Sequence, residues 1–295
     1  MSAKDTRVVS QLVNTARYPL SQPSSPAWKR VASHIRHDLE TIGCSVLSNF
    51  ITPNCLQDLQ TESESLAPAA YYKQETVNAY NIALDADLPQ DHPGRLQMQR
   101  GNAFVARDRI PADGLLQRLY NCAVFQQFVA DCFGLSQIFP LADPLSGLCL
   151  NVIPPGREHP WHFDTNEFTV SLLTYEQEYG GLFEFCPNIR TADAENFESV
   201  RDVLYDENHE MVQRLCLRPG DLQLFKGRYS LHRVSRVEGQ RARHTAIFAY
   251  TERPGVIGQP ERTRQLFGRV LDVHLAASGR AADGRVGGRV DQLLD

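Results

Sequence analysis

The chain has 295 residues, 42% of them hydrophobic and 22% charged, with a formal net charge of -5. A chain of that length and balance folds around a substantial core, which excludes a disordered protein. The acidic balance argues against a nucleic-acid surface, and no window nears the roughly 18 uninterrupted apolar residues of a membrane span. The start, MSAKDTRVVSQLVNTARYPL, lacks the apolar stretch of a secretory signal, so a cytoplasmic location is expected. Cys44, Cys55, Cys122, Cys132, Cys149, Cys186 and Cys216 are odd in number and form no C-x-x-C pair, which predicts reduced, mostly buried thiols. Cys186 is expected to be a buried spectator.

In chain order, SSPAWKRVASHIRHDLETIGC predicts a helix with Ser24 or Ser25 as N-cap and Pro26 in the first turn. Trp28, Val31, Ala32 and Ile35 form its apolar stripe, and Gly43 stops it. His34 and His37 lie one turn apart on it and are read as solvated, with no acidic partner pattern. CLQDLQTESESLAP carries the same period, and LLQRLYNCAVFQQFVADCFGL reads as one strong helix. Between these, YKQETVNAYNIALD and RLQMQRGNAFVARDRIP read as strands. From about Leu148 the chain turns to short strands broken by Gly and Pro: LCLNVIPPG, FTVSLLTY, GGLFEFCP, VQRLCLRPGDLQLFKG, YSLHRVSRVEG and RHTAIFAYTERPG. That texture suggests a sandwich, barrel or jelly roll. The expected architecture is one domain over 1–295. Residues 1–145 supply a helical and mixed elaboration, 146–256 a jelly-roll metal-binding core, and 257–295 a tail whose end, GRAADGRVGGRVDQLLD, is expected to be weakly ordered.

Chemistry concentrates in PWHFDTNEFTVSLLTY. His162 and Asp164 stand two positions apart, a spacing that puts both on one face of an extended chain. His232, in KGRYSLHRVSRVEG, supplies a third donor from another strand. Two imidazoles and one carboxylate on one face of an octahedral ion leave positions open for a cosubstrate and dioxygen, the facial triad of non-haem Fe(II) oxygenases. A three-ligand zinc site uses similar atoms, so a cupin-like zinc protein, hydrolytic or non-catalytic, stays the alternative. Downstream, Arg241, Arg243 and Thr245 share one face by strand parity. A 2-oxo dicarboxylate chelating iron at one end needs a cation for its far carboxylate, and a guanidinium gives it a planar bidentate match. The hydroxyl of Thr245 favours Arg243.

This ordered set, His-x-Asp, Gly180-Gly181, Pro-Gly-Asp, His232 and Arg-x-Thr, resembles the Fe(II)/2-oxoglutarate-dependent oxygenases over roughly Leu148 to Gly255. The wording WHFDTNEFTVSLLTY, GGLFEFCPNIR and LFKGRYSLHRV is similar to their small-molecule and amino-acid hydroxylase branch, related to free amino-acid halogenases. The resemblance implies a double-stranded β-helix flanked by N-terminal helices, with iron held by His162, Asp164 and His232. It implies 2-oxoglutarate as cosubstrate, converted with dioxygen to succinate and carbon dioxide while an unactivated C–H bond of a small, amino-acid-like metabolite is oxidised. Arg241 and Arg243 stand nine and eleven positions after His232, and both spacings occur in the family. In the halogenases a small residue replaces the carboxylate ligand and makes room for chloride. Asp164 occupies that place here, so hydroxylation is expected over halogenation.

Around the metal, Asn151 is a candidate for binding 2-oxoglutarate or orienting a ligand. His159, placed in a Pro-bounded loop, is a candidate substrate contact or a surface residue. Thr165 and Asn166 are expected at the pocket mouth. By analogy with the amino-acid-acting branch that the chain resembles, Arg100 is a candidate for a substrate carboxylate, with Asn78 and Tyr80 weaker ones. Arg190 is expected to brace its loop through an ion pair. His209, His244 and His274 are read as structural or exposed, with His244 facing away from the pocket.

Overall fold

The run Leu148–Ile153, LCLNVI, forms a strand buried at all six positions, so protein covers both its faces. In the computed structural model, which describes residues 3–85, 87–166, 168–205, 210–281 and 293, this strand lies inside a seven-stranded sheet. The order across it is Cys44–Leu47, Leu222–Phe225, Thr169–Tyr175, Arg243–Phe248, Leu148–Ile153, Ala103–Val105 and Tyr71–Tyr72, every neighbour antiparallel. A four-stranded sheet holds Gln213–Leu215, Phe183–Cys186, Leu231–Val234 and His159–His162 in that order. Between Leu148 and Phe248 the chain passes back and forth between the two sheets. Three strands of the large sheet come from the N-terminal half, ahead of the all-β texture.

Strand parity assigns the faces. On the large sheet Asn151 and Ile153 stand opposite Thr245 and Arg243, and residues directly opposite in an antiparallel pair share a face. Ile153 and Phe225 from this face meet Phe183, Phe185 and Val234 of the small sheet in one apolar cluster. The other face turns Leu148, Leu150, Val152, Val170, Leu172, Leu222, Leu224, Ala246 and Phe248 into the main core under the N-terminal helices. Thus alternate residues of the same strands build the core and face the space between the sheets.

The helices follow their sequence signals, with one division. The helix Pro26–Thr41 starts on Ser25, whose Oγ accepts from the Trp28 N–H at 3.2 Å, and Pro26 fills the first position. Trp28 packs edge-on against Phe128 at 5.0 Å and donates from its indole to Asp131 Oδ2 at 2.6 Å. The expected single helix around Leu115–Phe133 is two, Leu115–Tyr120 and Ala123–Phe133. Asn121 turns its side-chain amide back onto the Gln117 carbonyl at 2.8 Å, and the Tyr120 carbonyl is taken by Gln126 Nε2 and the Tyr250 hydroxyl, each at 2.9 Å. Side chains thereby replace the backbone bonds that would carry the helix through.

The segment after 256 is structured through Pro260–Phe267 and Asp272–Ala281. Of the tail expected to be weakly ordered, all but residues 279–281 and 293 lie outside the described residues, as does His209. No helix among the described residues is long and apolar enough to cross a membrane.

Candidate metal centre

Two histidines far apart in sequence meet because their strands are neighbours in register. His232, on Leu231–Val234, stands directly opposite His162, the last residue of His159–His162. Their ring centroids are 4.1 Å apart. Each ring is fixed from behind by its own backbone: His162 Nδ1 lies 2.8 Å from the Pro160 carbonyl and His232 Nδ1 2.9 Å from the Ser230 carbonyl. A carbonyl only accepts, so each Nδ1 carries the proton and each Nε2 offers a lone pair inward.

Asp164 completes the trio from just beyond the strand, not from the strand itself. Its N–H donates to the Gly227 carbonyl at 3.1 Å, and the preceding Phe163 N–H donates to the Ala79 carbonyl at 2.8 Å. The chain is therefore pinned on both sides as it leaves the sheet. Asp164 Oδ1 lies 3.7 Å from His162 Nε2 and 3.5 Å from His232 Nε2. The other oxygen, Oδ2, accepts from the Thr169 hydroxyl at 2.6 Å. Gly227 is required for this approach, since a Cβ there would run into the Asp164 carboxylate. One ligand atom from each residue falls within 4.8 Å of the others, a spacing that can hold one ion.

Electrostatics keep the trio ready for a cation. Burial, reinforced by the neighbouring His232, pushes His162 down to about 3, so its ring is neutral at ordinary pH. Burial also pushes Asp164 up, but His232, His162 and the Thr169 hydrogen bond more than offset it and hold the carboxyl below the usual range. Phe225 stands edge-on to His232 at 4.8 Å and Phe183 lies tilted to it at 5.6 Å, an apolar wall on that side. Behind Phe163, the Arg190 guanidinium sits 3.8 Å above the ring and pairs with Glu195 at 3.0 Å, bracing the loop as expected.

Arg243 faces the same inter-sheet space. It is 4% exposed, donates to Thr245 Oγ1, and has no carboxylate within ion-pair distance among the described residues. Burial alone draws it down to about 10, so it stays charged. A buried guanidinium with no counter-ion is a costly arrangement that an anion relieves, which fits the far carboxylate of an oxo-diacid. Arg241 is a correction. It precedes the strand, which begins at Arg243, and is exposed beside Glu178 at 3.8 Å. Parity does not carry upstream of the strand's first residue.

His159 is a second correction. It is the first residue of its strand, not part of a loop, and its ring stacks on His162 at 3.8 Å. Asn151 accepts from Asn102 Nδ2 at 3.0 Å. Arg100 is buried and paired with Glu75, its cross-strand partner. Thr165 and Asn166 are exposed beyond Asp164. Asn78 is structural: its Oδ1 accepts from the N–H groups of Tyr80 and Ile82. Cys186 is fully buried and pushed up to about 12 by burial, a spectator. His244 faces away, toward Ser63. Sequence reasoning passed over Thr169, Gly227, Glu75, Asn102 and Arg262. Of these only Arg262 carried a local signal, the proline-initiated helix in QPERTRQLF.

Comparison with known proteins agrees with this geometry. Among solved structures, a prolyl hydroxylase from Trichoplax adhaerens, in complex with a hypoxia-inducible-factor peptide fragment, is 16% identical, covering 81% of this chain and 93% of its own at a TM-score of 0.50. AviO1 from Streptomyces viridochromogenes Tue57 is also 16% identical, covering 76% and 96% at 0.51. EctD from S. alaskensis, with 2-oxoglutarate and 5-hydroxyectoine, is 17% identical and covers 78% of each chain at 0.49. At such identities the likeness is one of fold. No curated protein matches the chain. The family model described as Halogenase D matches residues 28–257, most of the chain and every residue of the trio. The chain therefore belongs to the Halogenase D family and is a non-haem iron, 2-oxoglutarate-dependent oxygenase.

Proposed function

We propose that this enzyme hydroxylates an unactivated C–H bond of a small, amino-acid-like metabolite, with 2-oxoglutarate converted to succinate and carbon dioxide. The observation that carries this reading is the Asp164 carboxylate, with Oδ1 at 3.5 and 3.7 Å from the two inward Nε2 atoms. The carboxylate fills the position that a small residue leaves to chloride in the halogenases, so oxygen transfer is favoured in spite of the family's name. The alternation of strands between two sheets supports a double-stranded β-helix as the architecture.

In this reading His162, Asp164 and His232 hold the iron, and the unpaired Arg243 with Thr245 anchors the far carboxylate of 2-oxoglutarate. A zinc site would have no use for such a buried arginine. Iron and 2-oxoglutarate, when bound, would supply the electrons that activate dioxygen, which is the oxidant of the substrate. The chain's own work is positional. Asn151, opposite Thr245, steadies Asn102 next to His159. His159 and Arg100 line the substrate side, with Arg100 receiving an acidic group, and Thr165 and Asn166 form the rim. Phe183 and Phe225 wall the His232 side against water, so that reactive chemistry is confined to the bound substrate.

The test is a screen of amino acids and related metabolites with iron, 2-oxoglutarate and excess chloride, scored first by succinate formed above the uncoupled background. The expected product of a true substrate has gained one oxygen atom and no chlorine. A chlorinated product would overturn the assignment of hydroxylation.

A further inference from the structure

Beside the trio the structure gathers cations that the metal and 2-oxoglutarate do not use. Arg100 ends the strand Met98–Arg100, which packs against His159–His162, and it is 3% exposed. One guanidinium nitrogen pairs with Glu75, whose other oxygen takes Lys73 at 2.8 Å. Arg100 Nε and Nη1 are buried with no partner among the described residues, and so is Asn102 Oδ1 close by. Asn102 Nδ2 stands 3.5 Å from His159 Nδ1, and His159 in turn stacks on the ligand His162. Asn102 therefore reaches the ligand His162 through the ring of His159, and Arg100 lies on the strand packed beside that pair.

A second guanidinium comes from the far end of the chain. The helix Pro260–Phe267 lies on the strand Ala103–Val105, with Phe267 edge-on to Phe104 at 6.3 Å and Thr263 buried beneath it. That docking turns Arg262 inward. It donates to Gln265, one turn on, and has no carboxylate within ion-pair distance among the described residues. Arg100, Asp164 and Glu75 are near enough to act on its charge, and Arg262 acts on His159 and His162 in return. Arg262, His159 and Asp164 are each half-buried, so each keeps some surface that a ligand can reach. Arg100 and the exposed Lys73 share one carboxylate, Glu75, and Arg262 is left without one, because Asp164 is committed to the metal in this reading. Desolvated guanidinium groups in excess over their counter-ions form a site for an anion.

We propose that Arg100 and Arg262 together form an anion clamp on the substrate side of the metal, with Arg262 as the specificity residue, so that the substrate is an acidic metabolite of net negative charge. The clamp is built for carboxylate or phosphate oxygens and disfavours basic and uncharged amino acids. This deepens the oxygenase reading and rests on it, since it takes the space beside the trio as the substrate site.

The test is calorimetry on protein loaded with Mn(II) and saturating 2-oxoglutarate, which binds ligands without turnover. The probes are L-glutamate, O-phospho-L-serine, L-leucine and L-lysine. At least one of the two acidic probes is expected to bind about tenfold or more tightly than leucine or lysine, and which of them does so tells carboxylate from phosphate. Arg262→Gln is expected to erase that preference and Arg262→Lys to keep part of it. Both variants retain the wild-type affinity for 2-oxoglutarate, which separates a lost clamp from a lost fold. Leucine or lysine binding as tightly as the acidic probes overturns the proposal. So does an absence of saturable heat from both acidic probes, or a preference that survives Arg262→Gln. Failure to bind 2-oxoglutarate at all sinks the oxygenase reading itself, and the clamp with it.

Discussion

Asp164 is held by its surroundings more than by its place in the sequence. Its outer oxygen accepts from Thr169 and its N–H donates to the Gly227 carbonyl, so one oxygen alone is turned to the two imidazoles. Removing a hydrogen bond behind a ligand typically weakens metal binding by 10- to 100-fold. Thr169→Val is therefore expected to weaken Mn(II) binding about tenfold, with Thr169→Ser near wild type, as followed by electron paramagnetic resonance titration. Equal affinity in Thr169→Val would show that the hydroxyl does not hold the carboxylate. A second pair of substitutions separates the arginines: Arg243→Gln raises the 2-oxoglutarate Kd by about tenfold or more, and Arg241→Gln leaves it unchanged. The reverse pattern would shift the anchor one strand step. His162, Asp164, His232 and Arg243 were legible in the sequence because ionisable groups interrupting short apolar strands need a reason to be there. Thr169, Gly227 and Glu75 were not, because each acquires its role only from a partner that the fold brings from another segment.

At the scale of elements, antiparallel register does the assembling. His232 meets His162 because they are directly opposite, and Arg243 and Thr245 share an inward face with Ile153 and Asn151. Alternation in the sequence predicted those faces, while the start of the Arg243 strand and the end of the His162 strand depended on hydrogen bonds that no local pattern encodes. The opposite face of the same strand carries a pH-sensitive tie. His244 Nδ1 lies 3.0 Å from Ser63 Oγ of the helix Pro53–Leu66, which also bonds Thr174 at 2.7 Å. Burial pushes His244 down to about 4, below the ordinary value of 6.5. Its unfolded form therefore binds the proton first. The stability it contributes is fully present above about pH 6.5 and is lost as the pH falls toward 4, up to about 3 kcal/mol. Urea unfolding of wild type and His244→Gln at pH 7 and at pH 4.5 checks this. The variant is expected to lose less stability between the two pH values, and an equal loss would remove His244 from the account.

The whole molecule is closed by its C-terminal segment, which composition alone gave as a tail. Asp143 accepts from the N–H groups of Leu145, Ser146 and Gly258 and lies 3.1 Å from His274 Nε2, both side chains being fully buried. His274 Nδ1 lies 3.0 Å from the Leu271 nitrogen and 3.2 Å from the Leu271 carbonyl, and Nε2, facing a carboxylate oxygen at 3.1 Å that only accepts, donates to Asp143. This tie joins the loop before Leu148 to the two C-terminal helices, one of which bears Arg262. Breaking such a buried set by removing one partner costs about 3–5 kcal/mol. Asp143→Ala is expected to lower urea-unfolding stability by that order, and a change under about 1 kcal/mol would contradict the tie. Nothing in the tail's Gly- and Arg-rich composition announces the tie, because His274 and Asp143 are distant in sequence and neither stands in a motif.

The central claim is that three side chains from two strands and the loop after one of them hold a single iron to which 2-oxoglutarate binds. Its most direct test is an anaerobic titration of the purified protein with Fe(II) and 2-oxoglutarate, read by visible absorption. The account predicts a weak charge-transfer band that saturates at one iron and one 2-oxoglutarate per chain and disappears in His162→Ala, Asp164→Ala and His232→Ala. A protein that shows no band, or one whose band survives those three substitutions, would contradict it.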